Sequence, residues 1–196
     1  MLTYGNEQHP PSMIAQRSTR VAFISSLLLL IPFTASLFSE EMDWSVFDYI
    51  LMWGMLFITG LTYSFITRNS QDLVYRAAVG LSVLTGFLLT WVNLAVGLIG
   101  SEDNPINLSY MFILALGILA SFFIRFKAIG MTVIMISMAA CMFMVALVAL
   151  LLGMQHLPWS SFTQILGVTG FFMLPMLVSA ILFYQSYIDS KKGSDQ

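Results

Sequence analysis

Every lysine and arginine of this chain falls in one of four short stretches, and long apolar runs separate those stretches. The basic residues are Arg17 and Arg20, then Arg68 and Arg76, then Arg125 and Lys127, and finally Lys191 and Lys192. Of the three intervening turns, two carry only acids: Glu40, Glu41 and Asp43 in one, Glu102 and Asp103 in the other. Gly153 to Ser161 carries neither sign of charge. Cationic side chains are expensive in hydrocarbon and collect on the cytoplasmic face of a bilayer. A thread of six crossings is the simplest path that puts all the basic stretches on one side. The pattern therefore predicts an all-α integral membrane bundle of six transmembrane helices, built as three helical hairpins. The N and C termini are both expected to be cytoplasmic.

Composition supports this reading. Hydrophobic residues make up 58% of the chain and charged residues 9%, against about 25% charged in soluble domains. The expected spans are 21–38, 46–67, 73–99, 108–124, 128–152 and 162–187. Together they form one transmembrane domain over 20–188, between a cytoplasmic arm at 1–19 and a tail at 189–196. Pro32 and Pro175 lie inside the first and last spans, where a kink or an early end is expected. Arg17 and Arg20, a Leu-rich core and Thr34-Ala35-Ser36 also resemble a signal peptide, but no strong A-x-A site is present. Ser70 is the expected N-cap of the third helix, and Asp72 and Arg76 are spaced to pair on its surface. Trp44 and Trp159 suit the outer interface; Tyr75, Tyr184 and Tyr187 suit the inner one.

The third span carries small and polar residues at helical spacing: Ser82, Gly86, Thr90, Asn93, Gly97 and Gly100. In lipid such a face packs closely against neighbouring helices. It can also line an ion or ligand path, with Asn93 roughly 10 Å below the outer turn. Gly117, Ser121, Gly167 and Gly170 are its candidate neighbours. The turn itself, Ser101-Glu102-Asp103-Asn104-Pro105-Ile106-Asn107, is dense in oxygen ligands. Its spacing lacks the regular loop of a calcium-binding hand, so the acids read as a solvated mouth. The candidate path residues are Thr90, Asn93, Gly97, Glu102, Asp103 and Asn104.

The fifth span aligns Met131, Met135, Met138 and Met142, with Cys141 and Met144 beside them. Thioethers suit Cu(I), and they also fill apolar gaps. The chain has 14 methionines scattered over several spans, which favours packing. The single cysteine allows no intrachain disulfide. His9 and His156 stand apart. No Ser-His-Asp order, phosphate loop or helical paired-His motif appears, so no enzyme activity, metal or cofactor is expected. With a net charge of −2 and no basic patch, nucleic acid is not an expected partner. The expected partners are the lipid bilayer and a second copy of the chain or another membrane protein.

Trp44-Ser45-Val46-Phe47-Asp48-Tyr49-Ile50-Leu51 parallels Trp159-Ser160-Ser161-Phe162-Thr163-Gln164-Ile165-Leu166. One account is a duplicated hairpin with parallel repeats; the other is an interfacial Trp and a Ser cap acquired twice. The run from Trp91 to Pro105 (Trp-Val-Asn-Leu-Ala-Val-Gly-Leu-Ile-Gly-Ser-Glu-Asp-Asn-Pro) resembles a segment of uncharacterised bacterial multi-pass membrane proteins. That resemblance implies a bacterial inner-membrane location and brings no activity. Two functions fit the sequence. One is a small channel- or transporter-type protein with an acidic outer mouth; the other is a non-catalytic accessory or scaffold protein that packs against partner helices.

Overall fold

The computed structural model describes residues 13–38 and 44–194. They form six α-helices: α1 (Met13–Phe38), α2 (Val46–Thr67), α3 (Leu73–Ala95), α4 (Asn107–Phe123), α5 (Ala128–Leu151) and α6 (Phe162–Ser194), with a 3-10 turn at Met154–His156. All but α4 are long and apolar enough to cross a membrane. α4 has 17 residues and is about 26 Å long, against a hydrocarbon core of about 30 Å.

Several boundaries differ from the sequence expectation. α1 begins at Met13, so it takes in the arm from there to Thr19. α6 runs on to Ser194, so the expected tail is helical up to that residue. α1 and α6 continue through Pro32 and Pro175. The N-cap of α3 is Asp72, whose carboxylate accepts from the Val74 N–H at 2.8 Å. Ser70 instead closes a backbone turn onto Thr67. The acids Glu40, Glu41 and Asp43 lie outside the described residues.

The chain divides into two compact units, Met1–Ser64 and Phe65–Gln196. In the first, α1 and the greater part of α2 form an antiparallel hairpin. Trp53 Nε1 donates to Ser26 Oγ at 3.0 Å and Tyr49 Oη to Ser36 Oγ at 2.8 Å. Val21 packs where a side chain on Gly60 would stand. A capping box opens α2: Ser45 N–H donates to Asp48 Oδ2 at 2.8 Å, and Asp48 N–H to Ser45 Oγ at 3.3 Å.

In the second unit α3, α4, α5 and α6 close into a ring, each packed on the next, with α6 also against α3. This is the up-down-up-down plan that short turns favour. α6 buries Ile165, Thr169, Phe172, Met176, Ser179, Phe183 and Ser186. Their steps of four and three residues are the seam of left-handed helix packing. The α5 methionines Met131, Met135, Met138 and Met142 fill the centre. Met138 lies so closely over Gly117 of α4 that a side chain there would have to displace its thioether. Cys141 and Met144 are exposed on another face of α5, so the methionine stripe and the cysteine do not converge. The outside of the ring is apolar: Leu84, Phe112, Ile118, Val133, Leu174 and Ile181 are all exposed. Faces of this kind demand a lipid or protein covering.

Polar bonds pin the basic end of the ring. Ser179 Oγ donates to the Ala78 carbonyl at 2.6 Å, and Ser186 Oγ donates to Asp72. The Asp72 carboxylate is thereby committed to Val74 and Ser186, where pairing with Arg76 was expected. Tyr75 Oη donates to the Phe126 carbonyl at 2.6 Å, tying the start of α3 to the α4–α5 turn. Arg68, Arg76, Arg125 and Lys127 thus share one end of this unit, and Glu102 and Asp103 stand at the other.

Candidate functional site

At the acidic end the chain leaves α3 earlier than its small-residue pattern suggests. α3 stops at Ala95, and Gly97 and Gly100 turn left-handed with φ of 74° and 72°. They belong to the turn and not to a helix face. A Cβ on Gly97 would lie 2.7 Å from both Asn107 Nδ2 and the Ser101 carbonyl oxygen, so only glycine fits. Between the two glycines, Leu98 and Ile99 fold inward and are buried, with 6% and 1% of their surface exposed. They plug the end of the ring.

Asn107, the first residue of α4, latches this plug. Its Oδ1 accepts from the N–H of Leu98 at 3.1 Å and of Ile99 at 3.0 Å. Its Nδ2 donates to the carbonyls of Ile99 at 3.3 Å and Ser101 at 2.8 Å. Asn104 braces the outer part of the turn, accepting from the Ile106 N–H at 3.2 Å. A Cβ on Gly100 would sit 3.8 Å from Leu157, so the α5–α6 turn lies alongside.

The candidate path residues separate on this frame. Glu102 and Asp103 are exposed at the tip of the turn, and Asn104 is half-buried in its wall. Thr90 is half-buried and spends its hydroxyl on the Gly86 carbonyl at 2.8 Å. Ser82 likewise bonds its own helix at the Val79 carbonyl. Asn93 alone of the expected stripe is buried in the interior; the inward face of α3 is otherwise Ala78, Val79, Thr85 and Leu89.

Asn93 Oδ1 has no hydrogen-bond partner, and the same is true of Thr169 Oγ1, Ser160 Oγ and Gln155 Oε1. The Tyr110 hydroxyl comes up to Thr169 without closing a bond of normal geometry. Gly86 meets Leu114 across the α3–α4 interface, which puts Thr90 level with Tyr110. Asn93 then stands about one helical turn, roughly 5 Å, nearer the acidic end. Below that level the interior is filled by Met142, Phe172, Met138 and Met176. A separate open groove of about 450 Å³ lies on the outer surface between α4 and α5, lined by Leu108, Phe112, Cys141 and Met144 among others.

Tyr110, Thr169 and the latching role of Asn107 were not anticipated. The heptad of α6 marks Thr169 as inward-facing, and that was the available signal. The two Trp-Ser segments also differ in use. Ser45 caps α2, but its counterpart Ser160 is buried and unpartnered. Ser161 makes the capping box of α6 instead, with Gln164 Oε1 accepting from its N–H at 2.7 Å. The caps are one residue out of step with the sequence match, which favours the account of two separately acquired caps.

Together these features define an α-helical bundle of membrane type with a plugged, oxygen-lined end. No protein-family model, curated protein or solved structure matches the chain.

Proposed function

We propose that this is a six-span bacterial inner-membrane protein of small channel or transporter type. In this reading both termini are cytoplasmic and the Glu102–Asp103 turn is its outer mouth. One observation carries the reading: Asn93 presents an unpaired oxygen inside an apolar ring, directly beneath a glycine-flanked plug and an acidic tip. An unpaired polar group in a membrane bundle is costly and marks a working position by default. The two carboxylates at the tip would favour cations over anions at the mouth. Opening would require the plug to leave and the methionine layers below to part, so the arrangement described is a closed one.

Flux of monovalent cations into proteoliposomes tests the proposal. Wild-type flux, reduced by Asn93→Ala and by a Glu102→Gln/Asp103→Asn double variant, would support it. No flux from a well-folded preparation would defeat it.

The accessory or scaffold reading stands beside it because of the filled lower half. Met131, Met135, Met138, Met176 and Phe183 close the interior toward the basic end. On that reading the outward helix faces do the work, against a partner membrane protein or a second copy. A defined homo-oligomer or stoichiometric complex with no flux would favour it.

A further inference from the structure

We infer that the acidic half of the α3–α6 interior is a hydrated polar pocket, lined by Asn93, Tyr110 and Thr169 beneath the Leu98–Ile99 plug, which takes a small neutral hydrogen-bond donor, water in the first instance.

Hydroxyls are satisfied differently in the two halves of the interior. In the basic half, and at the level just above it, every buried hydroxyl named here has a partner. Thr132 bonds Ala128, Ser121 bonds Gly117, Thr85 bonds Leu81, Ser179 bonds Ala78 and Ser186 bonds Asp72. Among the described residues the unpartnered buried side-chain atoms lie toward the acidic end: Asn93 Oδ1, Thr169 Oγ1, Ser160 Oγ and Gln155 Oε1. Asn93 is 7% exposed, Thr169 3% and Ser160 2%. Buried polar atoms in native proteins are paired, with protein or with ordered water.

The chemistry of the set selects the occupant. The Asn93 amide oxygen only accepts and so asks for a donor, while the Thr169 hydroxyl can either accept or donate. Among the described residues no aspartate or glutamate is buried in this interior. In this closed arrangement a cation would therefore lack a counter-charge in a low-dielectric setting, whereas a neutral donor needs none. Water has the right size and can bridge two or three such atoms. Other small neutral donors share that chemistry and would compete for the same oxygens.

The inference rests on the same residues as the transport reading. It survives a null flux result, since a wet pocket under a closed plug conducts nothing. The lone cysteine makes a direct test simple. In a Cys141→Ser background, Asn93→Cys and Thr169→Cys are compared with Met138→Cys in the filled core and Leu174→Cys on the outer face. The full-length protein in liposomes is treated with methyl methanethiosulfonate, a small neutral reagent whose sulfenyl sulfur the cysteine thiolate attacks with loss of methanesulfinate, so that fast reaction requires a hydrated, ionised sulfur. Reaction at positions 93 and 169 at least tenfold faster than at 138 and 174 is the expected result. Rates at 93 and 169 no faster than at 138 overturn the inference. Melting temperatures of Asn93→Leu and Thr169→Val supply a second readout. Apolar replacements lower the melting temperature if the oxygens hold water, and raise it if they are dry. A rise in both variants also overturns the inference.

Discussion

Asn107 and Ile99 exchange two hydrogen bonds across the acidic turn: the Ile99 N–H donates to Oδ1 at 3.0 Å, and Nδ2 donates to the Ile99 carbonyl at 3.3 Å. A side-chain amide here does the work of a neighbouring strand. It lets a non-helical segment sit inside the ring with its backbone groups paired. Asn107→Leu removes these bonds and those to Leu98 and Ser101. The expected loss is about 2–4 kcal/mol of stability. Thermal denaturation in detergent measures it, and hydrogen exchange at Leu98 and Ile99 should accelerate well beyond that of the α5 core. Unchanged exchange at those two amides would show that the plug does not depend on the latch.

Gly97 is the hinge from which the plug departs. Its φ of 74° and the 2.7 Å approach of the Ser101 carbonyl to a would-be Cβ act in the same direction. Gly97→Ala should therefore lower stability by at least about 2 kcal/mol, more than the 1–2 kcal/mol that left-handed backbone alone costs an alanine. Gly167 on α6 has nothing within 4 Å of a would-be Cβ and ordinary helical backbone. Gly167→Ala should be neutral or slightly stabilising, and the pair of melting temperatures checks both expectations.

Much of this fold was legible because lipid-compatible helices obey crude rules. The confinement of Arg68, Arg125 and their neighbours to short stretches fixed where helices stop. The scatter of 14 methionines over several spans pointed to those of α5 as packing. The candidate site was less legible, because a period of helical spacing was read past the real end of α3. Gly97 and Gly100 continue the stripe of Ser82, Gly86 and Asn93 on paper, yet their left-handed backbone breaks the helix. Hydrogen bonds from Asn107, at the start of the next helix, pair the backbone of that break. Helical periodicity does not reveal a side chain that folds back onto the turn before its own helix. Thr90 was hard to read for a second reason. A threonine hydroxyl can bond its own helix at the preceding turn, and the sequence cannot say whether it does so or faces a neighbour.

The α4–α5 turn carries a residue the backbone does not prefer. The Phe126 N–H reaches the Ser121 carbonyl at 3.0 Å and the Arg125 N–H the Phe122 carbonyl at 3.0 Å, the double bond pattern of a Schellman ending. Arg125 occupies its left-handed position with φ of 55°, where glycine is usual. Arg125→Gly should raise stability by about 1 kcal/mol, the cost of left-handed backbone offset by the greater freedom of glycine when unfolded. Denaturation in a mild detergent measures the gain. On the proposed orientation Arg125 adds positive charge at the cytoplasmic end, so the variant inserted in cells should show a weakened topological bias, read by reporter fusions at the C terminus.

Asp72 links stability to pH. The Ser186 hydroxyl donating to its carboxylate, helped by the Val74 N–H, holds its pKa below the ordinary aspartate value, and partial desolvation opposes the shift. A carboxyl whose folded pKa is depressed contributes stability above its unfolded pKa and loses it as pH falls through the folded value. The contribution should therefore be complete above about pH 4–5 and fade below the ordinary aspartate value of about 4. Asp72→Asn keeps a competent N-cap and removes the charge. The difference in melting temperature between wild type and Asp72→Asn should be constant near neutral pH and shrink below about pH 4. Ser186→Ala removes the largest cause of the shift, so its own difference from wild type should shrink over the same interval. A wild-type minus Asp72→Asn difference that stays flat down to about pH 2.5 would mean that the hydroxyl does not favour the charged form, and that the α3–α6 contact at this end draws nothing from the Asp72 charge.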